Sequence, residues 1–223
     1  MITDEVTLDN KPSQLEWLNP QSTNATFGKP FDLAEGLAFI FVKVNDNENV
    51  NFIIKSSATM FLKNKFKPGP ISDDKLTVNF RFSEKDRLVG DLINFLLQKA
   101  HEFAMTQEEQ STTRQLAENI RSLGSWPPNE RLNAKFKSDG EQNILTEFIE
   151  AKNGATFIQS SLSAFKEFMV EDMKQRRETE IDTIIHLTGF LISESGIFPC
   201  FKLWRVEFPL IKSAAKPSLK RRK

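Results

Sequence analysis

The chain has 223 residues, of which 39% are hydrophobic, with 30 basic and 30 acidic side chains. This composition supports one large or two small domains and excludes a wholly disordered protein. No apolar run reaches the roughly 18 residues that a membrane-spanning helix needs, so we expect no membrane association. The polar, acidic N-terminus does not resemble a secretory signal, and a lone cysteine, Cys200, has no partner for an internal disulfide. We therefore expect a reducing, intracellular compartment.

The balanced net charge conceals a basic C-terminal segment. Segment 212–223 contains six basic residues and no acidic one: Lys212, Lys216, Lys220, Arg221, Arg222 and Lys223. The rest of the chain therefore has 24 basic against 30 acidic residues, a net charge of −6. Such a tail is typical of a localisation signal or a phosphate-binding arm, and it is also typical of a solvated, disordered end.

The predicted elements begin after a polar segment, 1–30, that we interpret as an irregular arm. Apolar, β-branched runs predict strands at 37–44 and 50–55, joined as a hairpin through the polar segment 46–49. A Pro- and Gly-containing loop, 61–70, precedes an alternating strand at 75–82. Apolar residues at steps of three and four predict a helix over about 86–105, and a polar helix follows over about 107–122.

The second half of the chain is again rich in predicted strands. Alternating patterns favour strands at 131–137 and 144–150, and an amphipathic pattern favours a helix over about 163–177. The two longest strand candidates, 179–193 and 197–208, are interrupted by Gly189 and Gly196 at an expected bend and turn. The pattern as a whole predicts a β-rich α+β domain over 31–209, in which antiparallel strands with inserted helices form a small barrel or sandwich core, and a disordered basic tail over 210–223.

The sequence contains none of the common catalytic or cofactor-binding motifs. There is no Gly-rich phosphate loop, no HExxH, no CxxC and no GxSxG. One cysteine and two histidines do not favour a zinc site, and we expect no cofactor and no enzymatic activity. Cys200 and His186 could form a nucleophile and base, but a free cysteine in a Phe-rich strand is more typical of a buried apolar residue.

Basic residues interleaved with aromatic ones are the strongest functional signal. Single-stranded nucleic acid is bound by this combination, in which cations contact the backbone and aromatic faces stack on bases. An aromatic side chain in an alternating strand is, however, more often part of the core. The candidate nucleic-acid-binding residues are Lys55, Phe61, Lys63, Lys65, Phe66, Lys67, Arg81, Lys135, Lys137, Lys202, Trp204, Arg205, Lys220, Arg221, Arg222 and Lys223.

The order of several segments carries a family resemblance over about residues 27–208. These segments are GLAFIFV (36–42), VNFIIKSSATM (50–60), FKPGP (66–70), KLTVNFRF (75–82), LNAKFK (132–137), IDTIIHLTGFLI (181–192) and GIFPCFKLWRVEF (196–208). Together they resemble the single-stranded DNA-binding proteins of nucleocytoplasmic large DNA viruses, of the type found in African swine fever virus and algal viruses. The resemblance implies an elaborated OB-fold that acts at viral replication forks.

Our leading hypothesis is a non-enzymatic protein that binds single-stranded DNA, or RNA, with little sequence preference. It would protect or organise the strand during viral DNA replication, recombination or repair, in the host nucleus or at a cytoplasmic replication site. Replication proteins and a second copy of the chain are further expected partners. The alternative hypothesis is a β-rich scaffold protein, which equally fits the 20 Phe residues and the absence of catalytic motifs.

Overall fold

A computed structural model describes residues 24–44, 50–60, 62–63, 67, 69–81, 87–120, 123, 131–152, 156–175 and 177–210. Within them the strands are β1 (Ala25–Phe27), β2 (Phe31–Ala34), β3 (Leu37–Val44), β4 (Val50–Met60), β5 (Thr77–Arg81), β6 (Arg131–Phe136), β7 (Glu147–Lys152), β8 (Thr156–Gln159), β9 (Glu180–Ser193) and β10 (Gly196–Pro209). The helices are α1 (Arg87–Met105), α2 (Thr112–Asn119) and α3 (Leu162–Lys174), with a 3-10 helix at Asp73–Lys75. The predicted β-rich α+β class is confirmed.

The predicted helices are all present, but α2 is much shorter than the sequence pattern indicates. α1 ends where the Thr106 hydroxyl donates to the backbone carbonyl of Phe103 at 2.7 Å. α2 begins only after Ser111, whose side chain accepts a hydrogen bond from the backbone N–H of Arg114 at 3.2 Å. A serine cap of this kind satisfies a backbone donor of the first turn and so fixes the start of the helix. Among the described helices, none has both the length and the apolar content needed to cross a membrane.

The strands form one mixed sheet whose central pairings return to their starting point. β9 pairs with β4, β4 with β5, and β5 with β6, all antiparallel. β6 then pairs in parallel with β10, and β10 pairs antiparallel with β9. Each of these five strands therefore has two partners within the same set of five. Since β10 is parallel to both β6 and β7, the prediction that the strands are antiparallel is wrong for these two pairings. β7 and β8 extend the sheet from β10, while β1 and β2 extend it from β3.

The predicted hairpin between segments 37–44 and 50–55 is wrong. β3 and β4 instead lie one after the other along β9: residues 37–41 pair with 189–193, and residues 50–57 pair with 180–187. The opposite edge of β9 is occupied by β10. Alternation and apolar content identify a strand, but they do not identify its partner when a longer strand elsewhere in the chain can pair with both.

Strand β1 lies inside the segment for which the sequence predicts an irregular arm. It pairs with residues 42–44 of β3, and the Phe27 ring stacks on Phe103 of α1 with centroids 5.2 Å apart. Phe27 also contacts Phe190 at 6.4 Å. A three-residue strand shows too little alternation to be detected, so this packing was not predicted. The basic tail beyond residue 210 lies outside the described residues.

Phenylalanine side chains dominate the core on the side covered by α3. Phe165 of α3 contacts Phe136, Phe148 and Phe208, with ring centroids 5.2 to 6.4 Å apart. Phe136 and Phe165 are fully buried. Because such rings bury a large apolar area each, this cluster holds β6, β7 and β10 to the helix. The opposite surfaces of β6 and β10 face outward and carry the polar residues considered next.

Candidate nucleic-acid interface

The outward surface of the sheet carries a line of polar side chains that the strand register places side by side. Lys135 on β6 is the register partner of both Thr77 on β5 and Lys202 on β10. Lys202 is the partner of His186 on β9, which in turn is the partner of Asn51 on β4. Since neighbouring strands are about 5 Å apart, these side chains form a continuous row across five strands.

The alternation of burial shows that this row faces away from the core. Ala134 and Phe136 are fully buried, whereas Lys135 between them is exposed. On β10, Leu203 is fully buried, while Lys202 before it is only partly covered. The lysines thus occupy the pleat positions opposite the core, where cations stay solvated and available to a ligand.

Lys137 and Trp204 extend the row towards the ends of β6 and β10. The ammonium of Lys137 lies 3.5 Å from the centroid of the Trp204 ring, which is a cation–π contact. The same indole lies 6.1 Å from the imidazole of His186. We call Lys135, Lys137 and Lys202 the lysine cluster, and its member Lys137 covers the half-buried ring of Trp204.

The lysine cluster has positive charge without a matching acid. In the described part of the chain, none of Lys135, Lys137 and Lys202 forms an ion pair. Burial and the neighbouring charge of Lys135 both lower the pKa of Lys202. Burial, with a smaller effect from Lys137, lowers the pKa of His186 to about 4. Burial is the larger cause of both shifts and the nearby lysine charge adds to it, so an anion bound beside Lys135 and Lys202 would relieve part of their mutual repulsion.

His186 is consequently a neutral member of the site. Its Nδ1 lies 3.0 Å from Oδ1 of Asn51. Because that oxygen only accepts hydrogen bonds, Nδ1 carries the proton and donates it, and Nε2 remains an acceptor. The sequence analysis considered His186 only as a base for Cys200 and did not include it among the candidate nucleic-acid-binding residues. The structure places it directly beside Lys202 and Trp204.

The first predicted loop lies next to the lysine cluster. β4 ends at Met60 and β5 begins at Thr77, the partner of Lys135, so the connecting loop starts and ends beside this part of the sheet. Lys63 forms an isolated bridge with Pro70, and both Lys63 and Lys67 are exposed.

Phe61, Lys65 and Phe66 of the same loop lie outside the described residues, as do Lys220, Arg221, Arg222 and Lys223 of the tail. Lys55 lies on β4 opposite Asp182, and nothing is described of its side chain.

Arg81 belongs to a second group of cations at the other end of β5. It pairs in register with Arg131, and together with Arg177 these arginines line an open cleft of about 370 Å³. The guanidinium of Arg81 lies 3.6 Å from the carboxylate of Glu178. The sequence analysis missed Arg131 and Arg177. Arg131 could have been found, because it occupies the same outward positions of the alternating segment 131–137 as Lys135.

A pair of asparagines connects the two groups of cations. The Asn79 side-chain amide donates to Oδ1 of Asn133 at 2.7 Å, and the two residues are register partners. They lie between the Arg81–Arg131 pair and the Thr77–Lys135 pair on the same outward surface. The outer surface of β5 and β6 is therefore cationic at both ends and polar in between.

Arg205 does not belong to this surface, although the sequence analysis proposed it. Its side chain is only 5% exposed, and its Nε donates to the carboxylate of Glu147 at 2.8 Å. A second carboxylate, Glu207, lies 3.9 Å from its Nη1. A register shift between Leu203 and Arg205 separates it from the outward positions of Lys202 and Trp204. Its charge is satisfied inside the protein, and we remove it from the candidate site.

Cys200 and His186 do not contact each other as a nucleophile and its base would. Cys200 lies opposite Gly189, its Sγ is 3.9 Å from the Phe198 carbonyl oxygen, and burial raises the pKa of its thiol. His186 is hydrogen-bonded to Asn51 instead. In the residues that the structure describes, no three His, Cys, Asp or Glu side chains converge as a metal site.

The lysine cluster therefore presents positive charge and an aromatic ring side by side on the outer surface of the sheet. Sequence comparisons add no family to this description: no protein-family model matches the chain, and no curated protein matches it.

Proposed function

We propose that this protein binds single-stranded DNA on the outer surface of an OB-like barrel. Five strands whose pairings return to their starting point, β4–β5–β6–β10–β9, support a barrel of the OB type, which is built from five strands. In OB-folds the second and third strands and the first loop contact oligonucleotides. In this order those elements are β5, β6 and the loop between β4 and β5. Lys135 lies on β6, Lys63 lies in that loop, and Lys202 lies beside Lys135 on the neighbouring strand β10.

The observation that carries the proposal is the lysine cluster itself. Its three lysines have no ion-pair partner among the described residues, and one of them, Lys137, lies 3.5 Å from the ring centroid of Trp204. Phosphates would take the positions that acids leave unfilled, and a base would stack where Lys137 now covers the indole. Stacking on a π-face does not depend on which base is present, so the binding would tolerate any sequence.

A preference for single strands over duplex follows from the aromatic component. Duplex bases are already stacked on one another and cannot cover Trp204, whereas unpaired bases can. The resemblance to single-stranded DNA-binding proteins of large DNA viruses points to the same ligand and to a role in replication, recombination or repair. The net charge of −6 before the tail does not oppose this, because the local surface around Lys135, Lys137 and Lys202 is cationic.

The proposal is tested by titrating protein into a fluorescently labelled oligothymidylate of about 16 nucleotides, the upper end of OB-fold site sizes. A duplex of equal length is measured beside it, each at two salt concentrations. We expect tight binding to the single strand, weaker binding at higher salt, and much weaker binding to the duplex. Equal affinity for both would contradict the proposal.

A truncated chain that ends at residue 210 separates the described surface from the basic tail. We expect it to keep its preference for the single strand, with a lower affinity because six cations are missing. If truncation abolishes binding altogether, only the tail contacts DNA and the lysine cluster is not the site.

A further inference from the structure

We propose that a second, aromatic surface next to the lysine cluster stacks on the bases of the same DNA strand. This surface, the phenylalanine patch, consists of Phe31, Phe39, Phe41 and Phe198. The inference rests on the proposed function and extends it, because it assigns a longer path to the strand and names the residues that contact its bases.

Three rings of the patch, those of Phe31, Phe39 and Phe41, lie against one another at the surface of the protein. Phe198 lies across β9 from Phe39, because both are register partners of Leu191. The centroid of Phe39 lies 5.1 Å from that of Phe41 and 5.5 Å from that of Phe31, and Phe31 lies 5.6 Å from Phe41. Phe31, Phe41 and Phe198 are 40%, 52% and 44% exposed. Clustered exposed rings of this kind usually mark an interaction site, because a soluble protein otherwise buries them.

The phenylalanine patch is exposed because only one side of β3 packs against the core. The side chains of Ala38, Ile40 and Val42 on one side of β3 are buried in the core. Phe39 and Phe41 alternate with them and so lie on the opposite, uncovered side. Phe41 is the register partner of Gly189, and because Gly189 has no side chain the Phe39 ring packs closely over it, 2.8 Å from where a Cβ would lie.

Strand register connects the patch to the lysine cluster. Phe41, Gly189 and Cys200 are partners across β3, β9 and β10, so Phe41 lies two strand spacings, about 10 Å, from Cys200. Lys202 is two residues further along β10, about 7 Å from Cys200 on the same outward surface. The charges of Lys135 and Lys202 both act on the thiol of Cys200, so Cys200 lies at the border of the lysine cluster.

This continuity favours nucleic acid over a protein as the ligand of the patch. A strand whose phosphates lie on Lys135 and Lys202 would pass across β10 and β9 directly onto the rings of β3. Two leucines lie beside the rings, Leu191 between Phe39 and Phe198 and the half-exposed Leu33 on β2. The patch is nevertheless mainly aromatic, and its border with the lysine cluster is cationic, which fits an unpaired polyanion. We therefore assign the patch to unpaired bases beyond those that contact Trp204.

The test compares the double variant Phe31→Leu/Phe41→Leu with the wild type on oligothymidylates of increasing length. Leucine keeps the apolar surface but removes the π-face. For oligomers that are long enough to cover only the lysine cluster, we expect the wild type and the double variant to bind with equal affinity. On longer oligomers we expect the wild type to gain affinity with length and the variant to bind about tenfold more weakly, the value for loss of one stacked base. Phe157→Leu, which alters a half-buried ring on β8, serves as the matched control and should behave as wild type.

Photo-crosslinking gives a readout that a structural role would not affect. An oligonucleotide with 5-iodouracil at successive positions is irradiated in the complex, and cross-linked peptides are identified by mass spectrometry. We expect cross-links to the peptides that contain Phe31 or Phe41 from one end of the oligonucleotide only.

The outcomes separate this inference from the function on which it rests. If the wild type binds no single-stranded DNA, both proposals fail. If it binds, but the double variant shows the same dependence on length, the inference fails and the function stands. If the double variant changes only self-association in analytical ultracentrifugation, the patch is a contact between copies of the chain, and the inference is overturned.

Discussion

The imidazole of His186 donates from Nδ1 to Oδ1 of Asn51 across 3.0 Å, and this contact fixes a neutral histidine in the middle of a cationic surface. Neutrality is enforced by burial and by Lys137, which lower the pKa of His186 from 6.5 to about 4. The arrangement ties the pH dependence of folding to the same residues that we assign to DNA binding.

The stability of the protein should fall as the pH is lowered from about 6.5 to about 4, in part because of His186. Between these values the unfolded chain binds a proton on this histidine that the folded protein does not, which favours unfolding. The variant His186→Gln keeps an amide donor for Asn51 and removes the titration. Urea denaturation near pH 7 and near pH 5 should show a smaller loss of stability in the variant than in the wild type. Parallel losses in both proteins would show that His186 does not titrate in this way.

Trp204 should report directly on ligand binding. Replacing the other two tryptophans, Trp17 and Trp126, by phenylalanine leaves it as the only indole fluorophore. We expect its emission to be quenched on adding oligothymidylate, because a base replaces Lys137 on the ring. Trp204→Leu in the otherwise native chain should weaken binding by about 1–3 kcal/mol. An unchanged emission at saturating DNA would place the ligand elsewhere.

Gly189 should not tolerate alanine. Its φ is +155°, and a Cβ on this residue would lie 2.2 Å from the carbonyl oxygen of Ile40. Since that oxygen belongs to the backbone of β3, it cannot move aside without breaking the sheet. We expect Gly189→Ala to reduce the free energy of unfolding by about 1–3 kcal/mol or more. Gly140→Ala is the control, because a Cβ there has no heavy atom within 4 Å, and it should be neutral or slightly stabilising in the same denaturation experiment. Equal effects of both substitutions would contradict this account.

Arg205 should matter for folding and not for DNA binding. Arg205→Ala leaves an internal void and separates Glu147 from its partner, with an expected cost of about 3 kcal/mol. Arg205→Met fills the space, and half-exposed Glu147 remains hydrated, but Glu207, which is only 12% exposed, loses its cation. We therefore expect the methionine variant to be destabilised less than Arg205→Ala. The methionine variant is the informative one for function. The affinity of Arg205→Met for oligothymidylate should equal that of the wild type. A large loss of affinity would show that Arg205 belongs to the binding site.

The sequence predicts most elements of this fold, because strands with one buried surface alternate clearly. Segments 75–82 and 131–137 are examples, and β5 and β6 lie within them. The sequence does not predict which strands pair with each other as well as it predicts the strands themselves. β9 has 14 residues and pairs with β3, β4 and β10, and nothing in the local patterns of segments 37–44 and 50–55 shows that a distant strand supplies their shared edge.

The candidate site was predicted in part, for the same physical reason. Lys135 and Lys137 alternate with core residues, so the pattern alone places them on the outer surface. The same rule should have excluded Arg205, since continuing the alternation from Phe201 and Leu203 puts it inside. Phe41 could not be identified, because segment 37–44 is apolar on both sides and the sequence does not show which side the helices cover.

The dependence of binding on salt tests the central claim most directly. Each phosphate contact on a single strand contributes about 0.7 to the slope of log K against log salt concentration. We expect Lys135→Ala/Lys202→Ala to reduce that slope by about 1.4 for oligothymidylate, the value for two lost contacts. Lys99→Ala/Lys174→Ala removes the same charge from α1 and α3, and it should leave the slope unchanged. A slope unaffected by the first pair, or equally reduced by both, would contradict the assignment of the lysine cluster as the DNA-binding surface.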